Sequence, residues 1–432
     1  MTEITLNQFA DGPWREFSIY TIENRAIPSM VDGFKPSQRF IMYSAFKNAH
    51  NRWLKVSSLA AIAEYGYHHG DAAAQEAASL MAADWCNNQP CLLGDGNFGD
   101  RLVKEAASPR YVFAQVHPLM EKIFKDNDLC PAHDDPEHIP PKFYLPIIPM
   151  VLVNGISGIA TGYATDIPPY ALADVKNLCL KYIQGKDIDT VEMSPTLYGF
   201  KGKIERNAKG GYDQVGIVEL KGKTTAIISE VPFKYDRVKY IEVLEELKEK
   251  GTILRYDEDC GEQGFRFKVD LKRGFDTKSN EDLIKLFKLR SSFPVNLTVL
   301  DADKKLRKFD SPQALIKEFC DFRLPYYAQR IAKRLAETEW KLRVAVAKIK
   351  FIRSVLDNTL VFKGKSKSDL TSELSVSFET ELIPSLLGMD FYSLTTDEIT
   401  KQIGVAKELD LQRKFWKDAT PADQFQSDLK QI

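Results

Sequence analysis

Residues 94–113, GDGNFGDRLVKEAASPRYVF, contain two patterns that could do chemistry. Gly94, Gly96 and Gly99 have the G-x-G-x-x-G spacing of a loop that turns tightly against a pyrophosphate. Arg110 followed by Tyr111 could place a covalent nucleophile beside a cation that grips phosphate. Context excludes the first reading. A dinucleotide loop follows a strand and opens a helix within a βαβ unit. Here CLL before Gly94 is a poor strand, Asp95 and Asp100 would repel a pyrophosphate, and the chain lacks βαβ alternation. The expectation is a Gly-rich turn joining two elements. The second reading is chemically coherent. A phenol with a pKa of about 10 is only about 0.1% ionised at pH 7, so a nucleophilic tyrosine needs a base or a cation. Arg110 is such a cation and could also stabilise charge on a phosphate oxygen. An Arg-Tyr dipeptide by itself is common, so its companions must decide.

Those companions are basic and glycine-rich. DGFKPSQR places Lys35 and Arg39 at the start of a helix, whose dipole also attracts phosphate. YHHGD presents His68 and His69 at the start of another. In VNGISGIATGYATDIPPY, Gly155, Gly158 and Gly162 flank Ile156 and Ile159, which suits close approach of the backbone to a partner. Other chemical-looking clusters read as structure. Asp301-Ala302-Asp303 is a strand-end turn. His133, Asp134, Asp135, Glu137 and His138 surround Pro136 in a solvated loop. No metal site is expected, and the six scattered cysteines, without a CxxC pair, read as reduced thiols of a cytoplasmic protein.

The elements that must position these residues change in texture along the chain. Residues 16–110 read as helices joined by tight turns: PSQRFIMYSAFKNAH with Pro36 as its first residue, SSLAAIAEYG, and DAAAQEAASLMAADW capped by Asp71. The YGYHHG turn makes a helix-turn-helix. FYLPIIPMVLVNGISGIATGYATDIPPY is β-branched and punctuated by Pro and Gly, so it reads as short strands and turns. Residues 187–310 alternate strand runs (KTTAIISEVP, GFRFKVDL, VNLTVLD) with the helix KYIEVLEELKEKG, an α+β arrangement. From Pro312 to Asp357, apolar residues at 324, 327, 331, 335, 342, 346, 349 and 356 follow a coiled-coil seam, with Pro325 expected to kink or break the start. A helical cap, SFETELIPSLLGMDFYSLT, and a returning helix follow. The net charge of −1 means that any basic surface is local. No apolar run reaches the roughly 18 residues of a membrane helix.

Taken in order, these motifs resemble the breakage-reunion core of type IIA DNA topoisomerases. RAIPSMVDGFKPSQR is similar to the family's basic motif, GYHHGD to its helix-turn-helix turn, and GDGNFGDRLVKEAASPRY to the loop carrying its active-site tyrosine. LPIIPMVLVNGISGIATGYATDIPPY resembles its DNA-bending segment. SEVPFKYDR, LRKFDSP with FRLPYYAQR, and SLLGMDFYSLT resemble later landmarks, so the likeness covers residues 15–420. AASPRY leans towards the eukaryotic enzymes and GDGNFG towards the bacterial ones, a mixture that resembles the separate medium subunit of T4-type phage enzymes. The resemblance implies an α+β chain in three parts. Residues 1–138 would be a winged-helix DNA-binding domain, 139–311 a tower, and 312–432 a coiled coil with a helical exit gate. It further implies that Tyr111 attacks a DNA phosphodiester, aided by Arg110, and leaves a 5′-phosphotyrosyl link. Lys35, Arg39, His68 and His69 would hold backbone phosphates, and Ile159 would wedge between base pairs. The partners implied are double-stranded DNA, a second copy of the chain, and a separate subunit with ATPase and TOPRIM domains. That subunit, not this chain, would bind Mg²⁺ and ATP. Alternatives are the A-type subunit of a bacterial gyrase or topoisomerase IV, and a non-catalytic DNA-bending protein of the same fold.

Overall fold

The computed structural model describes residues 5–222, 224–272, 279–362 and 364–432. Helices and sheets are mixed, as expected of an α+β chain, in two units: Met1–Arg323 with Asp428–Ile432, and Leu324–Ser427. The first unit thus takes in both of the expected N-terminal parts and the first turns of the long helix.

Pro36 opens the helix Pro36–Asn48, where its missing N–H would have had no partner in any case. The next helix is shorter than expected: Val56–Leu59, then a single 3₁₀ turn, Ala63–Tyr65, ended by Gly66 at φ 98°. Helix Asp71–Ala82 begins at Asp71, which is therefore not its cap; Gly70, at φ 85°, holds that position. Asp71 instead places its carboxylate in the first turn, where the helix dipole favours it. A small antiparallel sheet completes this region, with β1 (Leu54–Lys55), β2 (Leu92–Asp95) and β3 (Phe113–Val116) in the order β1-β3-β2. The segment CLL, read as a poor strand, lies partly in β2. A Cβ on Gly94 would fall 2.4 Å from the Phe98 ring, so the glycine lets the following loop fold back over its own strand.

The segment MVLVN, read with the strands, is a helix, Met150–Asn154. Met150, Val151, Leu152 and Val153 are all buried, and periodicity cannot separate helix from strand in a short run that is apolar all round. The hairpin of β4 (Ile156–Ile159) and β5 (Ala164–Ile167) follows. Beyond it, four antiparallel strands (Ile253–Glu258, Phe267–Leu271, Thr225–Glu230 and Ile217–Lys221, in that spatial order) bury Ala226, Ile228, Phe267 and Val269 in one cluster with Tyr240 and Leu244 of helix Arg237–Glu249. Lys223, the first residue of the expected strand KTTAIISEVP, lies outside the described residues.

Helix Pro312–Leu356 runs unbroken through Pro325. Within the second unit, helix Thr396–Asp418 returns antiparallel to it. Tyr327 stacks on Phe425 at 4.5 Å, and Ile349 and Arg353 line a groove with Ile403, Ala406 and Leu411. The seam departs from expectation at Val346 and Leu356, which are exposed. There the helix turns Ala347 and Phe351 into a cluster with Leu370 and Leu374 of helix Lys367–Leu374 and with Ile383 and Leu386 of the cap, so a different face is buried.

Candidate active site and DNA interface

Tyr111 stands at the end of the loop that joins β2 to β3. Two backbone bonds hang this loop on the helix that begins at Val56: Val56 N–H donates to Val112 C=O at 3.1 Å, and Ser57 N–H to Pro109 C=O at 3.1 Å. Helix Asp71–Ala82 flanks the loop, with Ala72, Glu76 and Ser79 lining a cavity of about 370 Å³ together with Lys104, Ala107 and Pro109 of the loop. The tyrosine projects outward, 69% exposed. The Arg110 guanidinium lies over its ring, 5.0 Å from the centroid. Among the described residues the Tyr111 hydroxyl has no hydrogen-bond partner.

The other predicted residues form separate local groups. Lys35 is half-buried beneath the β4–β5 hairpin and donates from Nζ to Ser157 C=O at 2.8 Å; burial lowers its pKa. The neighbouring Gly158 explains how the hairpin gets so close. A Cβ there would lie 2.1 Å from Ala26 O, so the nearest approach this glycine serves is to the protein's own chain. Ile159, one residue on, is 87% exposed. His69 Nε2 meets the Tyr20 hydroxyl at 2.5 Å and its ring stands edge-on to Tyr67 at 4.9 Å. Tyr67 in turn rests on Phe40 of helix Pro36–Asn48. His68 is exposed, with no hydrogen-bond partner among the described residues.

Arg39 differs from expectation. It is 8% exposed, and its fork is occupied by Asp32: Nε to Oδ2 at 2.6 Å and Nη2 to Oδ1 at 3.0 Å, with Nη2 also on Phe34 C=O. Asp32 is itself fully buried and accepts from Phe34 N–H and Tyr144 N–H. A guanidinium used in this way braces the loop that presents Lys35; it has little left to offer a phosphate. Among the described residues, no hydrogen bond, ion pair or ring contact joins Tyr111 to Lys35, His68, His69 or Ile159.

Sequence reasoning missed Arg101. Its guanidinium is enclosed by Phe200, Phe233 and Phe265 and bonds to Glu230. The only local signal was an arginine inside the glycine loop. Tyr20, the partner of His69, was missed as well, because it lies 49 residues away in sequence. Among the described residues no three His, Cys, Asp or Glu side chains converge to hold a metal ion, and no helix is long and apolar enough to cross a membrane.

Comparison with known proteins places this geometry in context. A family model that describes the A-type subunit of DNA gyrase/topoisomerase IV matches residues 25–431. The chain is 39% identical to the DNA topoisomerase medium subunit of Enterobacteria phage T4, over 99% of its own length and 98% of that protein's. It is 30% identical to DNA topoisomerase 2 of Plasmodium falciparum over 96% of its own length but 33% of the relative's, so it spans about a third of that larger protein. The crystal structure of the DNA-binding, cleavage and re-ligation domain of Plasmodium falciparum topoisomerase II superposes with a TM-score of 0.87 at 30% identity, over 95% of this chain and 62% of that one.

Proposed function

The chain belongs to the family of A-type subunits of DNA gyrase/topoisomerase IV, and from that premise we propose that it is the DNA-cleaving and religating subunit of an ATP-dependent type II DNA topoisomerase. The observation that carries the reading is an exposed tyrosine beside an arginine, at the end of a loop tied down on both sides. The Tyr111 oxygen attacks a backbone phosphorus; the bond from phosphorus to the 3′ oxygen breaks; the phenolic proton leaves to an acceptor and the 3′ oxygen ends as a hydroxyl. One phosphoester replaces another, so the 5′-phosphotyrosyl link keeps the energy needed to reseal the strand. Arg110 stabilises charge on the phosphate as it forms.

Lys35, His68 and His69 hold backbone phosphates near the break. Arg39 acts one step back, through Asp32 and the Lys35 loop. Ile159 enters a base step and bends the duplex, a use of apolar side chains at hairpin tips that unstacks DNA. Two copies of the chain supply one tyrosine per strand, and the long helix pair with its cap forms the exit gate. The family uses ATP and Mg²⁺. We assign both to a separate subunit with ATPase and TOPRIM domains, in keeping with the naming of the phage relative as a medium subunit. No step of this chain's own chemistry is routed through them.

The test pairs a substitution with a reconstitution. Tyr111→Phe removes the attacking oxygen and little else. In the complex with its partner subunit, the variant keeps DNA binding within about twofold and forms no covalent DNA adduct. Robust Mg²⁺-dependent cleavage by the isolated chain would overturn the division of labour.

A further inference from the structure

The loop that carries Tyr111 is anchored at its other end in a way the reaction does not by itself require. Arg101, ten residues before the nucleophile, leaves the neighbourhood of the small sheet and enters the four-stranded α/β region. Its side chain is 11% exposed. Nη2 donates to Glu230 Oε1 at 3.2 Å and to Val231 C=O at 2.9 Å. The ring centroids of Phe233, Phe265 and Phe200 lie 4.3, 5.4 and 5.7 Å from the guanidinium carbon, within reach of cation–π attraction. Glu230, 4% exposed, is held in turn: it accepts from Val231 N–H and Lys201 N–H.

The residues after Arg101 reinforce the anchor. Leu102 packs against the core of the α/β region, and its carbonyl accepts from Arg237 N–H at 3.0 Å. Lys104 Nζ donates to Phe233 C=O at 2.6 Å. Yet Arg101 leaves Nε and Nη1 buried with no partner. A buried, half-satisfied guanidinium is a costly way to attach a loop, since an apolar side chain of the same size would fill the cage without that penalty. What the arginine adds is direction: one guanidinium nitrogen held by both Glu230 and Val231, with the planar group set among three rings, fixes both the depth and the angle of the loop.

We propose that Arg101 is a positioning residue for strand cleavage, whose seat in the Phe200–Phe233–Phe265 cage fixes the base of the loop and so the reach of the Tyr111 oxygen to the scissile phosphorus. The inference rests on Tyr111 being the nucleophile. Arg101 touches no reacting atom; it acts through the loop.

The experiment compares the unsubstituted complex, with its partner subunit present, against Arg101→Met and Arg101→Lys. Met fills the cage but has neither charge nor fork; Lys keeps the charge. The readout is the single-turnover rate constant of adduct formation on a DNA whose cleaved fragment cannot be resealed, recorded separately from the amplitude. The amplitude reports how much protein is folded and competent; the rate constant reports how well the competent fraction is aligned. For Arg101→Met the rate constant falls about tenfold to a hundredfold, the scale of a misplaced reacting group. DNA affinity stays within about twofold, and Lys recovers part of the loss. Unchanged rate constants with a reduced amplitude or a lowered unfolding midpoint would overturn the proposal and leave Arg101 as a packing residue. If Arg101→Met does not fold, Phe233→Leu, which removes the nearest ring and leaves the ion pair, takes its place with the same two outcomes. Absence of an adduct on Tyr111 in the unsubstituted complex would overturn the nucleophile reading itself, a failure seen before any variant is compared.

Discussion

At the scale of single residues, the two arginines at 39 and 110 show how context divides one side-chain type into two jobs. Arg110 is placed at an exposed tyrosine; Arg39 is buried in a two-pronged pair with a fully buried aspartate. Removing the Arg39 partner alone leaves an uncompensated buried charge, which costs about 3–5 kcal/mol. Asp32→Ala is therefore expected to lower the urea unfolding free energy by that amount. A change below about 1 kcal/mol, in the range of an exposed pair, would return Arg39 to the role of a free phosphate contact. The proposed nucleophile could be singled out in the sequence because the chemistry assigned to it is contiguous: Arg110 and Tyr111 are neighbours. The burial of Arg39 was not, because helix starts attract phosphates and buried carboxylates alike. Nor was the Arg101 cage, since Glu230 lies 129 residues further on.

At the scale of elements, two loops support the residues proposed to contact DNA. The β4–β5 hairpin is held below by Lys35 and Gly158, and Ala160 packs beside Ile22, Ala26 and Leu300, so Ile159 is carried on a supported tip. Ile159→Ala shortens the wedge but leaves this support untouched. The expected outcome is a smaller DNA bend, measured by energy transfer between end labels, at unchanged protein stability; an unchanged bend would make Ile159 a bystander. The second loop, 131–139, packs behind the histidine turn. Ile139 N–H donates to Tyr65 C=O, and Gly66 passes so close to Glu137 O that a Cβ there would lie 2.4 Å away. His133 Nδ1 accepts from Asp135 N–H, which leaves the proton of a neutral ring on Nε2, facing His138 Nδ1 at 3.4 Å. Burial first, and then His138, lower the His133 pKa to about 4. Between the unfolded value of about 6.5 and about 4, the unfolded chain takes up a proton that the folded chain refuses. Stability is therefore lost as pH falls through that window. Expected from this is an unfolding midpoint that declines less steeply from pH 6.5 to pH 4.5 in His133→Asn than in the unsubstituted protein; parallel curves would contradict it. The hairpin was readable from its glycines. The MVLVN helix and the switch of buried face at Ala347 were not, because both depend on what the rest of the chain packs against them.

At the scale of the whole chain, a net charge of −1 gives no hint of a DNA partner; the indication came from the order of local motifs. The proposed division of labour likewise rests on that order of motifs and not on the bulk charge. The central claim is that Tyr111 becomes covalently joined to DNA. The direct measurement is to denature the full complex during turnover with Mg²⁺, digest DNA and protein, and weigh the peptides. The account predicts one peptide carrying a nucleotide remnant linked through its 5′ phosphate, the linkage mapping to Tyr111. A remnant on another residue, or on none while strands are being cut, would contradict it.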